Sequence, residues 1–136
     1  MTILISCLII FSIIKKKGLV ELSGDVKIID RFNEFTINTN KILYFQRENK
    51  ISSNQLSKFT FENKYFGESG GFQYFITQPR ITSNKEMKIY DLKNNIFYIK
   101  NFEYEMKENL FRGSNTKFID EENNEYLISN TIINLN

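Results

Sequence analysis

The chain has 136 residues and a formal net charge of +2, enough for one domain with a packed core. Lys15, Lys16 and Lys17 stand together; without them, 15 basic side chains meet 16 acidic ones. No basic stripe remains, which argues against a nucleic-acid partner. The chain has no histidine and one cysteine, Cys7. It therefore lacks a His/Cys set for zinc, a histidine base for a nucleophile and the means for an internal disulfide.

The first element is residues 1–17. Ile3 to Ile14 is apolar, and the three lysines follow it. Twelve residues are too few to span a hydrocarbon core of about 30 Å comfortably. The run suits a signal or anchor segment, although no basic residue precedes it and the lysines follow it. A start placed too late, or Cys7 as an acylated lipoprotein cysteine, are variants of that reading. A strand or helix of the main domain is the structural alternative. The expected division is a hydrophobic segment over residues 1–17 and a domain over residues 18–136.

From residue 19 onward the pattern is strand-like. Val20, Leu22, Val26 and Ile28 alternate with Glu21, Ser23, Asp25 and Lys27, which puts the apolar set on one face. Phe35 and Ile37 alternate with Glu34, Thr36 and Asn38. Phe102, Tyr104 and Met106 alternate with Glu103 and Glu105. The stretch "GESGG", residues 67–71, reads as a turn or bulge with Gly70 and Gly71 free to take positive φ. No lysine or helical pattern follows it, so it is not a phosphate loop.

"YDLKNNIFYIKNFEYEMKENLFRG", residues 90–113, repeats a bulky residue, an asparagine five later and a bulky residue seven later. Copies begin at Ile28, Tyr44, Tyr90, Tyr104 and Ile119, at intervals of 16, 46, 14 and 15. A period near fifteen fits two strands and two tight turns. Asn33, Asn49, Asn95, Asn109 and Asn124 belong in the turns, because asparagine tolerates positive φ and bonds its own backbone. The flanking bulky residues would close each hairpin as a cross-strand pair. At this spacing residues 19–136 hold about 16 strands in a long antiparallel meander, rolled or folded into two facing sheets.

Catalytic chemistry is missing. Glu121 and Glu122 fall in a turn. Glu103 and Glu105 share one strand face, a placement that would suit a glycosidase pair, but nothing else in the sequence supports that chemistry. No catalytic residue, metal ligand or cofactor site is expected.

"VELSGDVKIID" followed by "FTINTNKILYFQRENKISS" resembles the OstA-like family of lipopolysaccharide-transport proteins. Leu22, Gly24 and Val26 match its first strand motif, Thr39, Ile42 and Tyr44 the second, and Ile51 with Ser52 the third. Residues 90–120 resemble a second pass through the same grammar, so the likeness covers about residues 19–133. The resemblance implies an all-β fold, an antiparallel OstA-like β-jellyroll. This is a V-shaped two-sheet meander whose apolar interior carries lipid acyl chains. It implies a non-enzymatic periplasmic module, LptA-like or LptC-like, that joins other jellyroll-domain proteins through edge strands on the way to the outer membrane. The inner membrane would be reached through the N-terminal segment.

The expected groove lining is Phe35, Ile37, Phe59, Phe61, Phe72, Tyr74, Phe97, Ile99, Phe102 and Tyr104. The expected edge-strand interface is Tyr126, Ile128 and Ile132, because the strand from Tyr126 to Leu135 carries no charge or proline to block pairing. The stretch from Leu19 to Ile28 is the other expected edge. The competing reading is a secreted or surface β-sandwich for adhesion or assembly. A transporter should show an open apolar seam, and a sandwich a closed core.

Overall fold

The structure is a computed structural model that describes residues 3–135; Met1 and Thr2 of the expected hydrophobic segment, and Asn136, lie outside the described residues. Twelve strands follow in order: β1 (Ile3–Lys16), β2 (Leu19–Asp30), β3 (Phe35–Phe45), β4 (Lys50–Ser53), β5 (Ser57–Phe61), β6 (Tyr65–Ser69), β7 (Phe72–Phe75), β8 (Arg80–Ser83), β9 (Met87–Asp91), β10 (Ile96–Glu105), β11 (Leu110–Ile119) and β12 (Glu125–Asn134). The helical content among the described residues is two single 3-10 turns, Gln46–Glu48 and Met106–Glu108. All twelve strands join one antiparallel hydrogen-bonded sheet.

That sheet is folded over on itself. β4 with β5, β6 with β7, and β8 with β9 are successive halves of single traverses, interrupted at residues 54–56, 70–71 and 84–86. The long strands kink along the same line. The register shifts between Cys7 and Ser12 in β1, between Ser23 and Val26 in β2, and between Tyr98 and Glu103 in β10. Gly24 (φ 139), Asn101 (φ 49) and Asn115 (φ 46) sit at these kinks. Such bulges bend a strand and leave most of its ladder intact.

Each traverse thus gives one half to each of two layers. The first layer runs β1-β2-β3-β5-β6-β9-β10-β11-β12. The second runs β1-β2-β3-β4-β7-β8-β10-β11-β12. Neighbours in the chain are neighbours in space, so this is the expected meander folded into two facing sheets. About 16 strands are expected over residues 19–136, and eleven form there, because five of the eight traverses after β1 run through the kink as single strands.

The folding brings the apolar faces together. Val26, Ile28, Phe35, Ile37, Phe59, Phe61 and Met87 of the first layer form one buried cluster with Ile42, Ile51, Phe72, Tyr74, Ile81 and Phe102 of the second. The alternation read from the sequence holds: Phe102, Tyr104 and Met106 are buried, while Glu103 and Glu105 are half-exposed.

Residues 3–16 take the role of a strand of the domain. β1 pairs with β2 over its length, and Ile3, Ile5 and Cys7 pack against the core. β2, expected as the amino-terminal edge, is therefore internal. The sheet's free edges are β1 and β12.

Candidate lipid-binding interior

Two kinds of turn line the two rims of the folded sheet. The first rim holds the turns at residues 31–34, 62–64, 92–95 and 121–124. Three of these four are anchored by an aspartate. Asp91 accepts the backbone N–H groups of Lys93 (2.8 Å) and Asn95 (3.0 Å) on one oxygen, and the Asn95 amide (2.8 Å) on the other. Asp120 does the same with Glu122, Asn124 and the Asn124 amide, and Asp30 with Phe32, Asn33 and the Asn33 amide. Burial alone would raise the Asp91 carboxyl, but its hydrogen bonds from Asn95 and Lys93 outweigh that and hold it below its usual range. The hydrogen bonds of Asn124 hold Asp120 low in the same way.

The second rim holds the turns at residues 46–49, 76–79 and 106–109. There the asparagine is itself left-handed, with φ 46 at Asn49 and φ 50 at Asn109, and it closes a 3-10 turn. All five predicted turn asparagines therefore lie in turns, but by two mechanisms. At the aspartate turns the positive φ falls on a neighbour, Glu34, Asn94 or Asn123.

This division corrects the expected hairpin pairs. Tyr44 faces Ile51 and Tyr104 faces Phe111, as expected. In the aspartate turns the register differs. Ile28 faces Ile37, Tyr90 faces Ile96, and Ile119 faces Glu125. The side-chain anchor fixes a different loop length, and the ladder shifts with it.

The structure also supplies copies that the sequence reading passed over. Tyr44, Tyr74 and Tyr104 are 30 residues apart, and Tyr74 faces Ile81 as its counterparts face Ile51 and Phe111. Pro79 replaces the asparagine. Rim hydrogen bonds keep the same step: Ile76 N–H donates to Asn49 O, Met106 N–H to Pro79 O and Leu135 N–H to Asn109 O. "VKIID", "SKFTF", "MKIYD" and "TKFID", beginning at residues 26, 57, 87 and 116, carry the same unit. Aligning the chain at thirty rather than fifteen would have found Asp30, Asp91 and Asp120. Each thirty-residue unit is two traverses, out and back.

The expected groove residues are brought together. Phe35, Ile37, Phe59, Phe61, Phe72, Tyr74, Ile99, Phe102 and Tyr104 are each at most 3% exposed, and Phe97 packs against them half-buried. Their rings touch across the layers: Phe35 lies 5.6 Å from Tyr74, and Phe61 4.9 Å from Tyr104 and 5.1 Å from Phe111. Edge-to-face pairs of this kind add about 0.5–1.5 kcal/mol each beyond their buried area. The seam between the layers is closed here, and its lining is a packed core.

A cleft of about 660 Å³ lies elsewhere, partly on the outer face of the second layer. Leu43, Ser52, Gln73, Thr82 and Glu103 form one cross-strand row along it. Only Phe72 and Phe102 of the expected groove border this cleft. Gly71 sits at its wall without positive φ. An added Cβ there would lie 3.0 Å from Ser53 O, so close approach rather than backbone handedness calls for glycine. Gly70 likewise lacks positive φ.

Glu103 and Glu105 are tied to Arg112, and Glu103 also to Arg80 at 3.7 Å. They form an ion-pair network on the outer face. No group of three metal-ligating side chains occurs among the described residues, and none of their helices is long and apolar enough to cross a membrane. At the far edge, Tyr126, Ile128 and Ile132 are 46%, 39% and 71% exposed on β12. That strand pairs only with β11. The rings of Phe97, Phe118 and Tyr126 stack in a row toward this edge, 4.5 Å and 5.6 Å apart.

No protein-family model matches the chain, and no curated protein matches it in sequence. A solved structure does match in fold. LptH of Pseudomonas aeruginosa, described as the LptA-homologous periplasmic component of the lipopolysaccharide transport device, superposes with a TM-score of 0.66 at 17% identity. The match covers 83% of this chain and 82% of that one. The folded antiparallel meander is thus an LptA-like β-jellyroll.

Proposed function

We propose that the protein is a non-enzymatic periplasmic lipid-transfer module, similar to LptA or LptC, that carries the acyl chains of a lipopolysaccharide-like lipid toward the outer membrane. The observation that carries this reading is the facing of two layers whose inner faces are mainly apolar and aromatic-rich, in an LptA-like fold. Each methylene buried there gains roughly 0.8 kcal/mol, so acyl chains are held without charged contacts. Sliding along such a lining exchanges like contacts for like. The groove is Phe35, Ile37, Phe59, Phe61, Phe72, Tyr74, Phe97, Ile99, Phe102 and Tyr104. Other jellyroll modules join through β12 at Tyr126, Ile128 and Ile132. The carrier domain includes β1, which pairs with β2 along its length, together with residues 18–136.

A photo-crosslinking amino acid at Phe35, Phe61 or Phe102 should trap lipid in cells, whereas the same probe at Glu34 or Glu103 should not. Equal labelling of both faces would defeat the assignment of the interior.

The closed seam favours a second reading, a secreted or surface β-sandwich that serves adhesion or assembly. On that reading the interior positions trap no lipid, while exposed positions on the outer faces trap protein.

A further inference from the structure

We infer that the hydrogen bond from Tyr74 to Asp30 is the latch of a lateral mouth between the two layers, and that acyl chains enter the interior when it opens. The entry half of this inference rests on the lipid-carrier reading above; the latch itself does not.

Tyr74 and Asp30 belong to opposite layers. Asp30 ends β2 at the first rim, beside Phe35. Tyr74 lies in β7 next to the second rim, two strands from Tyr44 of β3. Phe35 and Tyr44 are nine residues apart on one strand, a span of about 30 Å if extended. Yet the Tyr74 hydroxyl donates to Asp30 Oδ2 at 2.6 Å. The bond therefore joins the two rims directly, on the side of the closed seam farthest from the fold line.

The bond is not something the turn requires. Asp91 and Asp120 anchor their turns on the same rim with an equivalent set of donors, a backbone N–H two residues on and the N–H and amide of an asparagine. Among the described residues neither receives a hydroxyl from the other layer: Asp120 has Tyr126, from its own hairpin. Asp30 differs in being wholly buried, with the tyrosine as its one partner from across the seam among its described bonds. Burial and the neighbouring carboxylate push the Tyr74 hydroxyl well above its usual range, so it stays a donor.

The next position along the seam has no such bond. Tyr104, thirty residues on, meets the ring of Phe61 instead of an aspartate, and its hydroxyl donates to Asn109 on its own rim. At the fold line the layers stay tied by Ser69 with Ser83 (3.0 Å), by Ser83 with Gly71 O (2.7 Å), and by Thr39 with Ser57 and Ser53. Loss of the latch thus leaves a hinge held at the fold line and an apolar contact at the mouth.

The test is amide hydrogen exchange of the full chain, with uptake of a fluorescent sixteen-carbon fatty acid as a second measurement. Tyr74→Phe keeps the ring and removes the donor. It should speed exchange about tenfold at residues 35–38 and 72–75, as the loss of one hydrogen bond to a charged group implies, with little change in β11. Tyr104→Phe should not speed exchange at residues 35–38. Unchanged exchange in Tyr74→Phe, or an equal gain in Tyr104→Phe, overturns the latch. Should Tyr74→Phe fail to fold, exchange of the parent in rising denaturant is read instead: residues 35–38 and 72–75 should open together before β11, and their opening only with the whole domain overturns the latch. Faster fatty-acid uptake alongside faster exchange supports the entry route. Faster exchange with no uptake by either the parent or the variant overturns the entry route and the lipid reading while the latch stands.

Discussion

Three aspartates at one rim show how much a single residue decides. Each turns its carboxylate back onto the loop that follows, so the backbone N–H groups at the rim find partners without a second strand. None of this was visible from the asparagines alone, which mark the turns but not their register. Gly113 was passed over in the same way. At the equivalent place in the other units stand Ser23, Ser53 and Ser83. At residue 113 a Cβ would fall 2.0 Å from Ile99 Cγ2 and 3.0 Å from Lys100 O. The glycine therefore makes room for a buried isoleucine of β10, and its φ is not the issue. Gly113→Ala should destabilise the domain by about 1–3 kcal/mol, the usual range for overpacking. Ile99→Ala opens the space, so the double variant should lose less than the two single losses together. Denaturant midpoints of the four proteins measure this; strict additivity would show that the two sites do not touch.

At the scale of elements, the alternation was legible because each strand has one buried face, and burial on one side fixes a period of two. The position of β1 was not. An apolar run of this length satisfies a membrane and a sheet edge equally well, and composition does not separate them. β12 was legible as an edge because it lacks charge from Tyr126 to Asn134, and an edge with no lysine or proline is a template for another sheet. Proline at Ile128 or Ile132 removes a ladder donor there. Either substitution should abolish capture of a neighbouring jellyroll module by β12 while β2 to β10 keep their dispersed amide spectrum. Capture at unchanged yield would exclude this edge as the interface. Unfolding of the whole domain would mean that β12 supports the core more than its single neighbour β11 suggests.

The whole molecule is built from a unit of thirty residues, and this has a consequence for the chain as a whole. Quasi-repeating folds owe their stability to contacts between neighbouring units, so a unit can be removed if its neighbours still fit. Removing residues 50–79 joins Asn49 to Arg80, as Pro79 joins Arg80 in the parent. The turn at the second rim is then kept, and β8 meets β3 where β4 did. Thr82 takes the place of Ser52 opposite Leu43, and Ile81 that of Ile51 opposite Tyr44. Tyr104 moves into the position that Tyr74 held relative to Asp30, so the latch partner is replaced. The loss falls on Phe61, whose ring meets Phe35, Phe59, Phe102, Tyr104 and Phe111, and whose place goes to Asp91. The shortened chain should therefore fold cooperatively as a smaller all-β domain, less stable than the parent. Removing only residues 50–64 deletes a single traverse. It reverses the direction of every strand that follows and brings a chain from the first rim to the second. That variant should not fold. Far-ultraviolet circular dichroism and amide dispersion distinguish the two. If both deletions behaved alike, the thirty-residue unit would be a pattern in the sequence with no structural independence.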